Sequence, residues 1–202
     1  MKCLDLGCGL NKHDGCIGLD KKQVPGVDIV ADITEGIPFP DNHFEKIICS
    51  NILEHFYYEE FEFVMSEIYR VSKPNGLIFI AVPHFSGNLI RMTLDHKLDK
   101  FYSRTFRRYD PEDRLNYYVD SKIKFKTILV RLGRKFYKDP TKKWLGIINL
   151  ILSPLDIFYF LINIHPYIQY IYEEFFSHII PADMMEVRLM AIKDDLKEEK
   201  SL

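Results

Sequence analysis

The residues best placed to do chemistry stand near the start of the chain. Leu4-Asp5-Leu6 is a short apolar run with one carboxylate, and Gly7-Cys8-Gly9 follows it at once. Glycines directly after a strand make a turn without Cβ atoms, which lets backbone N–H groups approach a ligand closely. A dinucleotide fingerprint would put a third glycine where Lys12 stands, and an acid about 20 residues on. The acid comes sooner. Asp20 closes a second apolar run 13 residues after Gly7, where its carboxylate can accept both hydroxyls of a ribose. Asp32 follows a third run, placed to meet an adenine amino group while Ile33 packs on the ring.

Those residues need a sheet to hold them. Short β-branched runs alternate with loops and one long helical pattern over the first ninety residues, which is the signature of an α/β sheet with crossover connections. Strands are predicted at residues 2–6, 17–20, 28–31, 46–50 and 77–82. Between the last two, residues 59–71 place Phe63, Val64, Ile68 and Val71 near a helical repeat, and Lys73-Pro74-Asn75-Gly76 supplies turn chemistry after it. Only nine residues, 7–15, connect the first two strands, too few for an ordinary crossover helix, so one helical turn at most is expected. Further strands are predicted at 125–131 and 186–192.

With 202 residues, 47% of them apolar, the chain suits one domain with a sizeable core. It divides into a cofactor-binding half (1–84), a lid or substrate segment (85–124), an apolar helical insert (140–182) and a frayed charged tail (193–202). A net charge of -2 gives no global drive toward nucleic acid or an anionic membrane. Cys3, Cys8, Cys16 and Cys49 show no Cys-x-x-Cys pair, and no cleavable leader precedes Met1-Lys2-Cys3. Reduced thiols and a cytoplasmic location, with some contact at a membrane periphery, are expected. The spacing of Cys3, Cys8, His13 and Cys16 does not suit structural zinc, and Cys3 is expected to face a strand core, so no metal site is expected.

Six motifs in order carry a resemblance. Leu4-Asp5-Leu6-Gly7-Cys8-Gly9, Gly18-Leu19-Asp20, Ala31-Asp32-Ile33, Ile37-Pro38-Phe39-Pro40-Asp41-Asn42-His43-Phe44, Cys49-Ser50-Asn51-Ile52-Leu53-Glu54-His55 and Lys73-Pro74-Asn75-Gly76-Leu77 together resemble the class I S-adenosylmethionine-dependent methyltransferases of the broad type 11 kind. The match spans about residues 2–83. The resemblance implies a Rossmann-like, doubly wound, mostly parallel sheet of seven strands, with the last one antiparallel. It also implies S-adenosylmethionine as cofactor: Asp5, Gly7 and Gly9 for the methionine part, Asp20 for the ribose, Asp32 and Ile33 for the adenine, and Asn51, Ile52 and Leu53 along the methyl-donor side. Cys8, inside the turn, and Lys21, beside the acid, join that set. Asp95-His96-Lys97 and Ile180-Pro181-Ala182 resemble a subgroup associated with surface-glycan synthesis, which implies a small-molecule or glycan acceptor and transfer to oxygen. The chain begins almost at its first strand, so the N-terminal helices that cover the cofactor in many relatives are not expected, and closure falls to residues 85–118 or to the apolar insert.

Transfer to a hydroxyl needs a base. His84, after the fifth strand, is expected at the carboxyl edge of the sheet, where ligands of doubly wound folds sit, and its near-neutral reference pKa suits proton removal. Asp95 and His96 are the second candidates, and His55 lies near the cofactor end of the fourth strand. The aromatic and basic run at 97–109 could clamp single-stranded nucleic acid, but Asp95, Asp99 and Asp110, interspersed in and around it, favour a substrate lid or a solvated face. The 21 residues from 144 to 164 approach a membrane span, yet Pro154 and Asp156 near the centre favour two short helices. Those helices would cover the sheet, form a homodimer contact or touch a membrane interface. Two rival functions follow: a cofactor-binding module without catalysis, and a membrane-interface protein whose apolar insert does the work.

Overall fold

The computed structural model describes residues 1–87, 95–98, 100–118, 122–133 and 153–193. Seven strands form one sheet in the order β3-β2-β1-β4-β5-β7-β6. They are β1 (Cys3–Leu6), β2 (Ile17–Asp20), β3 (Ile29–Val30), β4 (Phe44–Ser50), β5 (Ser72–Pro83), β6 (Phe125–Gly133) and β7 (Met184–Ala191). The first five run parallel, and β7 is antiparallel to both β5 and β6, as the resemblance implies. Parallel strands are covered on both faces, so β1 is buried at all four positions and reads as a continuous run rather than an alternation.

The predicted strands are present with shifted ends. β3 pairs over two residues only, at the sheet edge. β5 starts earlier than residue 77 because the turn at Lys73-Pro74-Asn75-Gly76 lies within the irregular pairing of Ser72 with Phe44. Asn75 takes a positive φ of 60° there.

Helix α1 (Tyr58–Val71) is the crossover from β4 to β5. Phe61, Val64, Met65, Ile68 and Val71 form its buried stripe at three- and four-residue spacing. Val64, Ile68 and Val71 lie on it as expected, but Phe63, one position before Val64, falls outside the stripe and is exposed. The Glu60 carboxylate accepts the backbone N–H of Tyr57 at 2.8 Å and closes the first turn. At the other end Arg70 donates to the carbonyls of Ile37 and Phe39, each at 2.8 Å, while Glu67 accepts the Ile37 N–H at 2.8 Å. The Arg70 guanidinium also holds the Glu67 carboxyl below its usual range. This clamp fixes the loop leading from Asp32 back into β4.

No helix forms between β1 and β2, in line with the short connection. Side chains hold that loop instead. The Asp5 carboxylate accepts the His13 N–H at 2.8 Å and faces the His13 ring at 2.9 Å, and Lys12 pairs with Asp28 at 2.9 Å. The expected reduced thiols are corrected at two positions: Cys3 and Cys16 form a disulfide, with Cα atoms 4.5 Å apart. The register that aligns Leu4 with Ile17 sets the preceding pair side by side on neighbouring strands. A separation of 13 residues carries no sign of this; the strand pairing creates it. Cys8 and Cys49 are buried free thiols.

Among the described residues, the end of the apolar insert forms two short helices, α2 (Ser153–Ile162) and α3 (Pro166–Ile171), the second running into a wider turn at Tyr172–Phe176. Pro154 lies in the first turn of α2, where its missing N–H costs little. Asn163, between the helices, donates to Leu132 O and accepts from Leu132 N, and Gln169 donates to Val130 O, so the pair docks on β6. Residues 144–152 and 194–202 lie outside the described set. No described helix is long and apolar enough to cross a membrane.

Candidate active site

The carboxyl ends of β1, β2, β3 and β4 open onto one cleft of about 540 Å³. Gly7 and Gly9 line it from the turn after β1, Asp20 and Lys21 from the end of β2, Asp32 and Ile33 from beyond β3, and Asn51 and Ile52 from beyond β4. Residues far apart in the chain converge here because parallel strands all end at the same sheet edge, where the order turns outward from β1 in both directions.

The turn is built for close approach. Gly7 has φ +64°, and a Cβ on it would stand 2.7 Å from Ile52 Cδ1, so an alanine would collide with the cleft wall. The N–H groups of Gly7 and Cys8 bond back to Leu19 O at 2.8 and 3.3 Å. Asp20 accepts the Gly9 N–H through one oxygen at 3.0 Å and the Lys22 N–H through the other at 2.9 Å. Its carboxylate is thereby fixed on the cleft wall. Asp32 accepts the Thr34 hydroxyl at 2.7 Å and the Thr34 N–H at 3.0 Å. Those bonds, the hydroxyl's first, hold its carboxyl below the ordinary range and keep it an acceptor.

Other expected residues lie elsewhere. Asp5 is buried, and its described bonds pin the loop at His13 rather than face the cleft. Cys8 packs toward Gly18 and is buried, and burial raises its thiol pKa. Leu53 is fully buried in the core. These three shape the cleft from behind.

His84 is not where a base is needed. It is 0% exposed, with Nε2 3.1 Å from Glu173 and Nδ1 2.8 Å from Ser86 Oγ. Glu173 also accepts the Ser103 N–H at 2.6 Å and the Ser103 hydroxyl at 2.9 Å. The imidazole thus belongs to a buried polar cluster that joins β5, the segment after it and the C-terminal helices, and it does not line the cleft.

Asp95 does line the cleft, together with His55, which it meets through Nδ1 at 3.4 Å. His96 stands behind them, its ring centroid 5.0 Å from that of His55. Burial, then the nearby His55, lowers the His96 pKa and favours the neutral ring. Lys97, also on the cleft, was not a cofactor candidate, although it stands in the Asp95-His96-Lys97 run. Most aromatics of the run around it belong to the core: Phe101, Phe106 and Tyr109 are fully buried, with Phe61 beside the first two. Only Tyr102 among these four aromatics is substantially exposed.

Comparison with known proteins agrees with this geometry. Residues 8–80 match the family model of a methyltransferase domain. The fold is similar to that of an S-adenosylmethionine-dependent methyltransferase from Archaeoglobus fulgidus, at 16% identity and TM-score 0.53, covering 94% of this chain and 85% of that one. It is also similar to the YcgJ protein of Bacillus subtilis, at 15% identity and TM-score 0.51, covering 96% and 92%. The 4+2 cyclase SpnF shares it too, at 14% identity and TM-score 0.51, covering 96% and 76%. No curated protein matches the sequence.

Residues 8–80 thus match a methyltransferase domain, set in a Rossmann-like sheet similar to that of the S-adenosylmethionine-dependent methyltransferase from Archaeoglobus fulgidus. The matched domain implies S-adenosylmethionine as cofactor, and the described residues form a single seven-stranded domain.

Proposed function

We propose that the chain is an S-adenosylmethionine-dependent methyltransferase acting on a hydroxyl of a small-molecule or glycan acceptor that enters the cleft beside Asn51, His55 and Asp95. The convergence of Gly7, Gly9, Asp20, Asp32, Ile33, Asn51 and Ile52 on one cleft carries the reading. Asp20 would hold the ribose hydroxyls, Asp32 the adenine amino group and Ile33 the ring face. The glycine turn, with Lys21 near it, would meet the methionine part. The residues fit the cofactor: the turn has no Cβ to fill the space, and both carboxylates are already oriented by backbone donors.

When bound, S-adenosylmethionine would supply an activated methyl group to the acceptor oxygen, with the S–C electron pair left on a sulfur that departs as a thioether. The protein's share is to orient the acceptor, exclude water and take the hydroxyl proton. Asp95 and His55 reach the cleft and are the groups proposed to take that proton, with His96 supporting His55. Calorimetry with S-adenosylhomocysteine, followed by transfer of labelled methyl to a panel of sugars and hydroxylated small molecules, tests this. One molecule bound per chain and label on an ether oxygen are expected. Binding without transfer to any acceptor would assign the chain to cofactor binding alone, and absence of binding would end the reading.

The exposed apolar face of the C-terminal helices favours an acceptor presented at a membrane surface. Phe160, Phe175 and Ile179 are 70%, 68% and 74% exposed, and Ile157 joins them. A face of this kind suits interfacial insertion. The protein is expected to co-sediment with phosphatidylglycerol-containing vesicles, and the Phe160→Asp, Ile179→Asp double variant is expected to stay in the supernatant. Equal sedimentation of both proteins would remove the membrane reading, and a dimer in solution that the variant splits would give this face to a second copy.

A further inference from the structure

We propose that Glu54, His55 and His96 bind a divalent transition-metal cation at the acceptor end of the cleft. The inference rests on the methyl-transfer reading and narrows its acceptor to compounds with two neighbouring hydroxyl oxygens.

The three side chains offer one carboxylate oxygen and two imidazole nitrogens, all within 4.8 Å of one another. Ligands around a bound ion stand roughly 3.4 Å apart when each bond is about 2.1 Å, so small side-chain rotations close the set. The scaffold already brings them together. Glu54 and His55 sit in the short turn Leu53–His55 directly after β4, and the Glu54 carbonyl accepts the N–H groups of Lys97 and Leu98 at 2.9 and 3.0 Å. Those two bonds fasten the strand of chain bearing His96 against the turn bearing the other ligands.

A second observation is independent of the spacing. Nδ1 of His96 is buried and has no hydrogen-bond partner, an arrangement that costs free energy unless something occupies that position. A cation ligated there would supply the missing partner.

Two imidazoles with one carboxylate suit zinc, manganese or iron better than magnesium or calcium, which prefer an all-oxygen shell. None of the four cysteines takes part, so the cysteine spacing was uninformative about this site. Three protein ligands leave open positions, and His55 together with the neighbouring Asp95 faces the cleft. Two adjacent acceptor hydroxyls can fill those positions as a chelate. A bound cation would lower the pKa of a coordinated hydroxyl, whose proton would then go to Asp95 or water rather than to His55, which serves as a ligand once the ion is bound.

The test uses the full chain after dialysis against a chelator. Titration with Co²⁺ is expected to produce a visible d–d band that saturates at one equivalent and is displaced by Zn²⁺. His96→Ala and His96→Gln should each weaken binding at least about tenfold, as should His55→Ala. Circular dichroism and S-adenosylhomocysteine calorimetry on each variant separate ligand loss from misfolding. Failure to bind cobalt, or binding that all three variants retain unchanged, overturns the cation site. Because calorimetry is read separately, S-adenosylhomocysteine bound without cobalt removes the cation alone, and cobalt bound without S-adenosylhomocysteine removes the methyl-transfer reading instead.

Discussion

Asp20→Ala is expected to weaken S-adenosylhomocysteine binding about thirtyfold or more, measured by calorimetry at neutral pH. A carboxylate bonded to two ribose hydroxyls contributes charge-assisted hydrogen bonds, and losing them costs about 2 kcal/mol. The structure adds a second loss. Asp20 also accepts the N–H groups of Gly9 and Lys22, so its removal frees both backbone donors and loosens the turn that shapes the cleft. Asp20→Asn keeps an acceptor without the charge and should fall between wild type and alanine. If alanine leaves the affinity unchanged, position 20 does not hold the sugar and the cofactor must be placed elsewhere.

The second large effect concerns stability. Glu173→Ala is expected to destabilise the fold by about 3–5 kcal/mol in urea denaturation, because it strips the partner from one buried imidazole and one buried serine at once. That is a large share of the margin of a typical domain, about 5–15 kcal/mol, so weak expression of the alanine variant is expected. Glu173→Gln keeps oxygen and nitrogen in place and should cost less. In the glutamine variant, S-adenosylhomocysteine affinity should match wild type, since Glu173 and His84 stand outside the cofactor cleft. A loss below about 1 kcal/mol for alanine would show that the cluster is dispensable. His84→Ala should likewise lower stability before it alters the chemistry, which reverses the role that its place after β5 suggests in the sequence.

Much of the fold was legible because its signals are local. Apolar runs mark β1, β2 and β4, the spacing of Val64, Ile68 and Val71 marks α1, and the short first connection excludes a helix. β3 was overestimated, since an edge strand of two residues has little to distinguish it from the loop around it. The glycines and the two acids that line the cleft were legible from their places after the strands. The rest depended on contacts across long separations. Asp5 and Asp20 look alike beside their strands, yet one turns back to His13 and the other faces the cleft. His84 follows a strand end as a catalytic group would, but only the arrival of Glu173 from the C-terminal helices buries it. The aromatic run at 101–109 has no clean period because it packs as irregular turns on α1, and the adjacency of Cys3 and Cys16 exists only in the strand register.

The position of β7 has a consequence for how the molecule is made. It lies between β5 and β6, and among the described residues β6 has no other neighbour in the sheet. A ribosome therefore releases β5 and β6 long before either can find the strand that joins them. Until the final segment emerges, one flank of the nascent molecule is an open row of amide donors and acceptors, vulnerable to pairing with foreign chains. Completion comes as an insertion at the centre of that flank rather than an addition at its border.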